Sequence, residues 1–179
     1  VKGQPRQYIL GLGSNLGNRA DIIGQAIALL GKIPGTEVVA ISPAVDSDPV
    51  GFEQQPNFLN LCLLISSNLK PDELMAQTAA IETRLGRVRL AERNGPRTLD
   101  IDLLFYEGGT WASSEVTLPH PRWSSRGFVV IPLGNLLQVA TLANGSPWGW
   151  LKAEVAALTI GSEGLRVWQG PTPWIQQHP

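Results

Sequence analysis

Cysteine is nearly absent from this chain, with one residue, Cys62, in 179. That excludes an internal disulfide and a cysteine-based structural zinc site. The single thiol sits in LNLCLLIS with no cation beside it to stabilise a thiolate, and reads as a small buried apolar residue. Histidine is scarce too, at two, which leaves a histidine-based metal site short of ligands. No apolar run approaches the roughly 18 residues needed to cross a bilayer, and the opening VKGQPRQYIL has neither the length nor the shape of a secretory signal. With a thiol count that suits a reducing compartment, these absences set the expectation of a cytoplasmic protein with no membrane partner. An excess of either charge is also missing: 14 Lys and Arg stand against 15 Asp and Glu, for a net −1. Global attraction to nucleic acid or to an anionic surface is therefore not expected, and any anion site must be local.

What remains is a globular composition, 43% hydrophobic and 16% charged, in a length that fits a single domain over residues 1–179 with one main core. YILGLGSNLGN begins as an apolar strand and ends in a turn, after which Asn18 or Asp21 caps the helical period of ADIIGQAIALLGKI. Pro34-Gly35 stops that helix. TEVVAISPAV and NFLNLCLLISS read as two strands joined by the long loop DSDPVGFEQQP. Pro71 opens a second helix, PDELMAQTAAIETRLG, with acidic residues in its first turn, and TLDIDLLFY follows as a strand. Strand, helix, strand, strand, helix, strand is the order of the ferredoxin-like split βαβ arrangement, an α+β class with an antiparallel sheet. Beyond Gly108 the pattern predicts a short hairpin near WASSEVTL and helices in FVVIPLGNLL and WGWLKAEVAAL. The core spans about 8–158, and 159–179 is expected to be an irregular C-terminal tail whose Trp168 and Trp174 pack on the body.

Two carboxylates stand inside the apolar run of PRTLDIDLLFY. Strand side chains alternate, so Asp100 and Asp102 share one face with Cα atoms roughly 6.5 to 7 Å apart, while Leu99, Ile101 and Leu103 face the core. A solvated strand face would give the same triplet. The surroundings argue otherwise, because Arg84, Arg87, Arg89, Arg93 and Arg97 crowd the fourteen residues just before it. Arginines alone would bind phosphate, which two nearby acids would repel, unless hard cations such as Mg²⁺ lie between acid and phosphate. Guanidinium groups then make bidentate contacts to oxygens whose charge changes in the transition state. Positioning and electrostatics of this kind are the equipment of phosphoryl transfer.

GLGSNLGNR matches neither the P-loop nor GxGxxG, since it has no Gly-Lys-Ser/Thr and Leu16 takes the last glycine position. A turn lying under a ligand and a plain strand-to-helix turn both fit it. LPHPRWSSRGF adds His120, Arg122 and Arg126, followed by Phe128. Two rival classes stay open on the residues alone. One is a ferredoxin-like RNA-binding module with Phe58 and Phe128 as base-stacking platforms. The other is a nucleotidyl transferase that uses Asp100 and Asp102 as a two-metal pair.

GLGSNLGN, PNFLN, GRVRLAERNGPRTLDIDLLF and LPHPRWSSRGF, in that order, resemble the hydroxymethyl-dihydropterin pyrophosphokinases of folate biosynthesis. The resemblance runs from about Tyr8 to about Leu158. It implies transfer of pyrophosphate from ATP to the hydroxymethyl group of 6-hydroxymethyl-7,8-dihydropterin with release of AMP, an αβα ferredoxin-like fold, and a monomer acting on ATP and the pterin without nucleic acid. It implies Asp100 and Asp102 as holders of two Mg²⁺ ions, with Arg87 and Arg97 as catalytic arginines. Glu82, Arg89, Arg97, Thr117, His120 and Arg126 are implied on the ATP side. Ser47, Asp48 and Val50 are implied through their backbones on the pterin side, with Asn60 reading the heterocycle and Phe58 and Phe128 sandwiching it. Departures from the family pattern are Leu90 at an often basic position, Asn94 at an aromatic one, Glu115 at an arginine, Ala79 at a glutamine and Asp48 at a proline. They touch loop and nucleotide contacts and the pterin-side loop, and leave the acid pair and the two main arginines in place.

Overall fold

The computed structural model describes residues 4–51, 53–88, 95–142, 145–162 and 164–175. In its sheet β1 (Arg6–Ser14) pairs antiparallel with β4 (Phe58–Ser67) on one side and β5 (Asp100–Tyr106) on the other. The far edge of β4 is shared by β2 (Thr36–Ile41) and β3 (Val45–Ser47). The expected single strand TEVVAISPAV is thus broken in two. Pro43 has no N–H to give to a ladder, and the chain crosses the gap through Ser42, whose N–H donates to the Cys62 carbonyl while its hydroxyl accepts from the Cys62 N–H.

Helices α1 (Arg19–Leu30) and α2 (Pro71–Arg84) cover one sheet face. The α1 stripe Ala20, Ile23, Ala26, Ile27 and Leu30 is buried against Tyr8, Leu10, Leu12, Leu61, Leu63, Ile101 and Leu103. Asn18 caps α1 by accepting from the Asp21 N–H, and Glu73 reaches back to the Lys70 N–H at the start of α2. The opposite face is covered by α3 (Gly127–Ala140) and α4 (Gly149–Ala157), packed on Ile9, Cys62, Leu64, Leu104 and Phe105. The result is the αβα form of the ferredoxin-like fold. Between Ile9 and Leu10 the β1–β5 register shifts by one, leaving Leu104 as a bulge. That extra residue turns Phe105 to the α3 side while Leu103, two residues earlier, faces α1 and α2. β6 (Trp111–Ala112) and β7 (Thr117–Leu118) form the expected small hairpin.

The tail departs from the irregular course expected of it. Leu165–Val167 forms β8, antiparallel to the outer edge of β3, so the sheet runs β5-β1-β4-β3-β8 with β2 beside β4. Trp174 then packs into the first face, 2% exposed, with Pro173 lying over Gly24 of α1.

Candidate active site

α3 begins at Gly127, so one end of the second sheet face is left uncovered. The floor there is set by register. Gly11 lies between Asp102 on β5 and Cys62 on β4, and Gly13 lies between Asp100 and Asn60. Both glycines point toward the α3 side and carry no side chain, which leaves a trough about 10 Å wide between the acids and the amide, two strand spacings apart. The glycine pair therefore belongs to the strand interior. Of GLGSNLGN, only the stretch after Ser14 is turn, with Gly17 at φ +65°.

A cavity of about 450 Å³ occupies this end. Among the described residues its lining brings together Ser47, Asp48, Val50, Phe58, Asn60, Arg87, Arg97, Asp100, Asp102, Arg126 and Phe128, which the family resemblance drew from four separate stretches. Its two halves differ in chemistry. At one, Arg87 Nη1 and Arg97 Nη1 each stand 2.7 Å from an Asp100 carboxylate oxygen, and Arg126 Nη1 is 3.5 Å from Asp102 Oδ2. At the other, Asn60 Nδ2 donates to Ser47 Oγ at 2.8 Å, with Phe58 and Phe128 alongside. The halves meet through cation–π contacts: the Arg97 guanidinium lies 5.8 Å from the Phe58 ring centre and that of Arg126 5.6 Å from the Phe128 ring centre.

Electrostatics follow from this crowding. Burial, reinforced by the Asp100 charge, raises the Asp102 carboxyl above its usual range against the pull of His120, Arg126 and Arg97. Burial lowers His120 and Arg126, and the Arg122 charge pushes both further down. Glu82 does not line the cavity. It is buried behind Asp100, accepts the Ile101 N–H at 2.7 Å and pairs with Arg87. Burial raises its carboxyl, and that N–H and the Arg87 charge oppose the rise. Arg87 is thus gripped by two acids from two elements. His120 also lies outside the lining, its N–H donating to the Leu104 carbonyl and its Nδ1 accepting from the Arg122 N–H, with Nε2 left for other partners. Thr117 is exposed on β7, away from the cavity wall. Arg89, Leu90, Arg93 and Asn94 lie outside the described residues.

Several contributors escaped the sequence. Asn15, 2% exposed, accepts from the Arg97 N–H and donates to the Pro56 carbonyl and to Gln55 Oε1, while its own N–H donates to the Arg97 carbonyl. One side chain so ties the exit of the arginine loop to the end of DSDPVGFEQQP. Ser125 lines the cavity as well, next to Arg126 and to Arg122, which the sequence had already noted. The glycine floor had a signal in its i, i+2 spacing inside a strand. Asn15 had none, because its partners are 40 to 82 residues away.

Asp100 and Asp102 are hard oxygen donors on one strand face, and no group of three or more His, Cys, Asp or Glu able to hold a metal is found among the described residues. A divalent ion here would take one or two protein carboxylates and complete its shell with water and substrate oxygens, which is the habit of Mg²⁺. The donor set fits that ion. No helix among the described residues is long and apolar enough to cross a membrane.

The model of the family described as 7,8-dihydro-6-hydroxymethylpterin-pyrophosphokinase matches residues 9–138. A 2-amino-4-hydroxy-6-hydroxymethyldihydropteridine pyrophosphokinase of Bacillus subtilis is 36% identical over 160 residues, 89% of each chain. One from Methylorubrum extorquens is 41% identical over 127 residues, 71% of this chain and 80% of the other. Among solved structures, Plasmodium falciparum HPPK-DHPS with pterin and p-hydroxybenzoate matches with a TM-score of 0.64 at 12% identity, over 93% of this chain and 46% of that longer one. At that identity the likeness supports the fold alone.

Proposed function

The chain belongs to the 7,8-dihydro-6-hydroxymethylpterin-pyrophosphokinase family, and from that premise we propose how its own residues divide the work. The reaction moves the terminal pyrophosphoryl group of ATP to the hydroxymethyl oxygen of the reduced pterin, in folate biosynthesis. A new oxygen–phosphorus bond forms at the β phosphorus, the bond from that phosphorus to the α-phosphate oxygen breaks, AMP leaves and the hydroxyl proton is lost. The observation that carries the reading is the two-sided cavity. An acid pair with three arginines at one half and an amide between two phenylalanines at the other suit a polyphosphate and a flat hydrogen-bonding heterocycle respectively.

Arg87 and Arg97 hold the transferring phosphates, and Glu82 fixes the Arg87 guanidinium from behind. Arg126 adds positive charge for ATP, His120 offers a hydrogen-bond donor at Nε2, and Arg89 is assigned to the same nucleotide. Asn60, kept in orientation by Ser47, reads the pterin edge, and Phe58 and Phe128 flank its ring. Backbone groups of Ser47, Asp48 and Val50 close that side. Asp100 and Asp102 would hold two Mg²⁺ ions. When bound, these screen the repulsion between carboxylates and phosphates and acidify the hydroxyl. The working state is a cytoplasmic monomer.

The test supplies ATP, Mg²⁺ and hydroxymethyl-dihydropterin and identifies the nucleotide released. AMP formed only when pterin is present is the expected result. ADP or pyrophosphate as product, or no turnover, refutes it.

A further inference from the structure

The family match ends at residue 138, and the tail beyond α4 has no part in the reaction described above. Its path is nonetheless fixed against both walls of the pterin half of the cavity. On one wall, β8 continues the ladder of β3: Ser47 pairs with Leu165, Asp46 with Arg166, and the Asp48 N–H donates to the Gly164 carbonyl at 2.9 Å. Gly164 has φ +69°, and a Cβ built there would stand 2.9 Å from Asp48 Oδ2 and 3.2 Å from Asp48 Cβ. Both its conformation and its contact with Asp48 require glycine. Arg166 Nη2 lies 3.0 Å from Asp46 Oδ1 and 2.5 Å from Asp48 Oδ1; Asp46 Oδ1 also accepts from Asn57 Nδ2, and Asp46 Oδ2 is paired with Arg19.

On the opposite wall, the same short segment meets Gly127, between Arg126 and Phe128. A Cβ at Gly127 would stand 2.9 Å from Leu165 Cδ1, 3.3 Å from Ile160 Cγ2 and 3.4 Å from the Gly161 carbonyl oxygen. Gly164 and Arg166 therefore touch the Asp48 wall while Ile160, Gly161 and Leu165 touch the Phe128 wall. Downstream, the Trp168 N–H donates to the Ala44 carbonyl, the Arg19 guanidinium lies 5.1 Å from the Trp168 ring centre, and Trp174 is buried against α1. The strap is anchored beyond the cavity as well as across it.

We propose that residues 160–162 and 164–167 are a positioning strap for the pterin: by bonding to Asp48 and packing on Gly127 they set the separation of the two walls between which the heterocycle lies. This rests on the placement of the pterin between Phe58, Asn60 and Phe128 given above. Arg166 and Gly164 act through Asp48 and touch neither substrate. Among the described residues the ion pairs of Arg87, Arg97 and Asp100 do not involve the strap, and ATP affinity is expected to be independent of it.

The test measures pterin and ATP-analogue dissociation constants by calorimetry, with KM and kcat, in Gly164→Ala, Arg166→Ala, Arg166→Lys and Asn60→Ala. Gly164→Ala is expected to weaken pterin binding about tenfold, with ATP-analogue affinity unchanged and kcat at saturating pterin within about twofold, as loss of ground-state positioning gives. Arg166→Ala gives a smaller loss of the same kind, partly restored in Arg166→Lys. If Gly164→Ala fails to fold, the Arg166 pair carries the same readout. Unaltered pterin affinity in the folded strap variants, while Asn60→Ala loses it, overturns the strap. Equal losses for pterin and ATP analogue overturn it too. Unaltered pterin affinity in Asn60→Ala overturns instead the placement of the pterin.

Discussion

Gly13→Ala isolates the glycine floor with one methyl group. The added Cβ would stand 2.8 Å from Asn60 Oδ1 and 4.0 Å from Phe58 Cδ1. Asn60 cannot yield freely, because its Nδ2 donates to Ser47 Oγ at 2.8 Å on the edge that meets β3. Moving the amide forfeits that bond, about 1 kcal/mol net, and the overpacking costs about 1–3 kcal/mol. Replacing a strand glycine returns roughly 0.5–1 kcal/mol of backbone entropy. The net is a destabilisation of about 1–3.5 kcal/mol, which lowers the melting temperature by roughly 2–14 °C in a chain of this size. Pterin affinity should fall by about tenfold or more, since the displaced amide is the group that reads the heterocycle and each 1.4 kcal/mol is a decade. Gly11→Ala is the control. The three atoms nearest its Cβ would all belong to the Leu104 side chain, at 3.3 to 3.7 Å, and a leucine tip can give way. Stability there should change by about 0.5 kcal/mol or less. Calorimetric titration of both variants with pterin and with an ATP analogue, beside thermal melts, reads all four quantities. The reasoning is refuted if Gly13→Ala binds pterin as the parent does, or if Gly11→Ala loses as much.

Asp100→Ala and Asp102→Ala should each reduce kcat by at least about a hundredfold with the circular dichroism spectrum preserved; an unchanged rate removes that residue from the chemistry. Asn15→Ala strands the Arg97 N–H and the Pro56 carbonyl in a buried place, so a loss of about 2 kcal/mol or more is expected from chemical denaturation. Asn15→Asp keeps the acceptor for Arg97 and should recover part of it, a pattern that fails if Asn15 merely fills space. Burial would raise the Asp46 carboxyl, but hydrogen bonds from Arg19, Arg166 and Asn57 outweigh burial and hold it below the usual carboxylate value. Stability from that shift is complete above the unfolded pKa of about 3.9 and disappears as pH falls through the lower folded value. The melting-temperature gap between the parent and Asp46→Asn should therefore be widest near pH 7 and close on acidification below about pH 4. A gap that stays constant across that range refutes the assignment.

Local order was largely legible. Period-2 alternation in LDIDLLF put Leu99, Ile101 and Leu103 in the core and both aspartates on the other face, and the cap at Asn18 and Pro71 at the start of α2 marked helix starts. The βαββαβ order followed from those elements. What stayed hidden depends on which strands become neighbours. A period of two says which face a residue takes, and nothing about the partner across the ladder. Gly11 and Gly13 acquire meaning only beside Asp102, Asp100 and Asn60, and β8 forms because β3 offers it a free edge. Leu104 is inside an unbroken apolar run, so its bulge leaves no mark in the pattern. Five clustered arginines raised the expectation of an anion site, while the pairing of Arg87 with Glu82 and Asp100 required the fold to bring α2 and β5 together.

Those pairings also determine what binding must do. Without substrate, Asp100 is clasped between Arg87 and Arg97, and Asp102 faces Arg126, so each half-buried acid already has a cation. A polyphosphate arriving alone would draw the arginines off and leave Asp100 uncompensated. A divalent ion arriving alone would take the acids and leave guanidinium groups facing one another at close range, with Arg122 beside them. Either uncompensated charge is costly where water is partly excluded. Only when polyphosphate and cation enter together does every charge keep a partner, with arginines passing to phosphate and carboxylates to metal. With the proposed ligands, the acid pair and arginine cluster would act as a coupled exchange site whose coupling is reciprocal: each ligand would strengthen the other by the same factor.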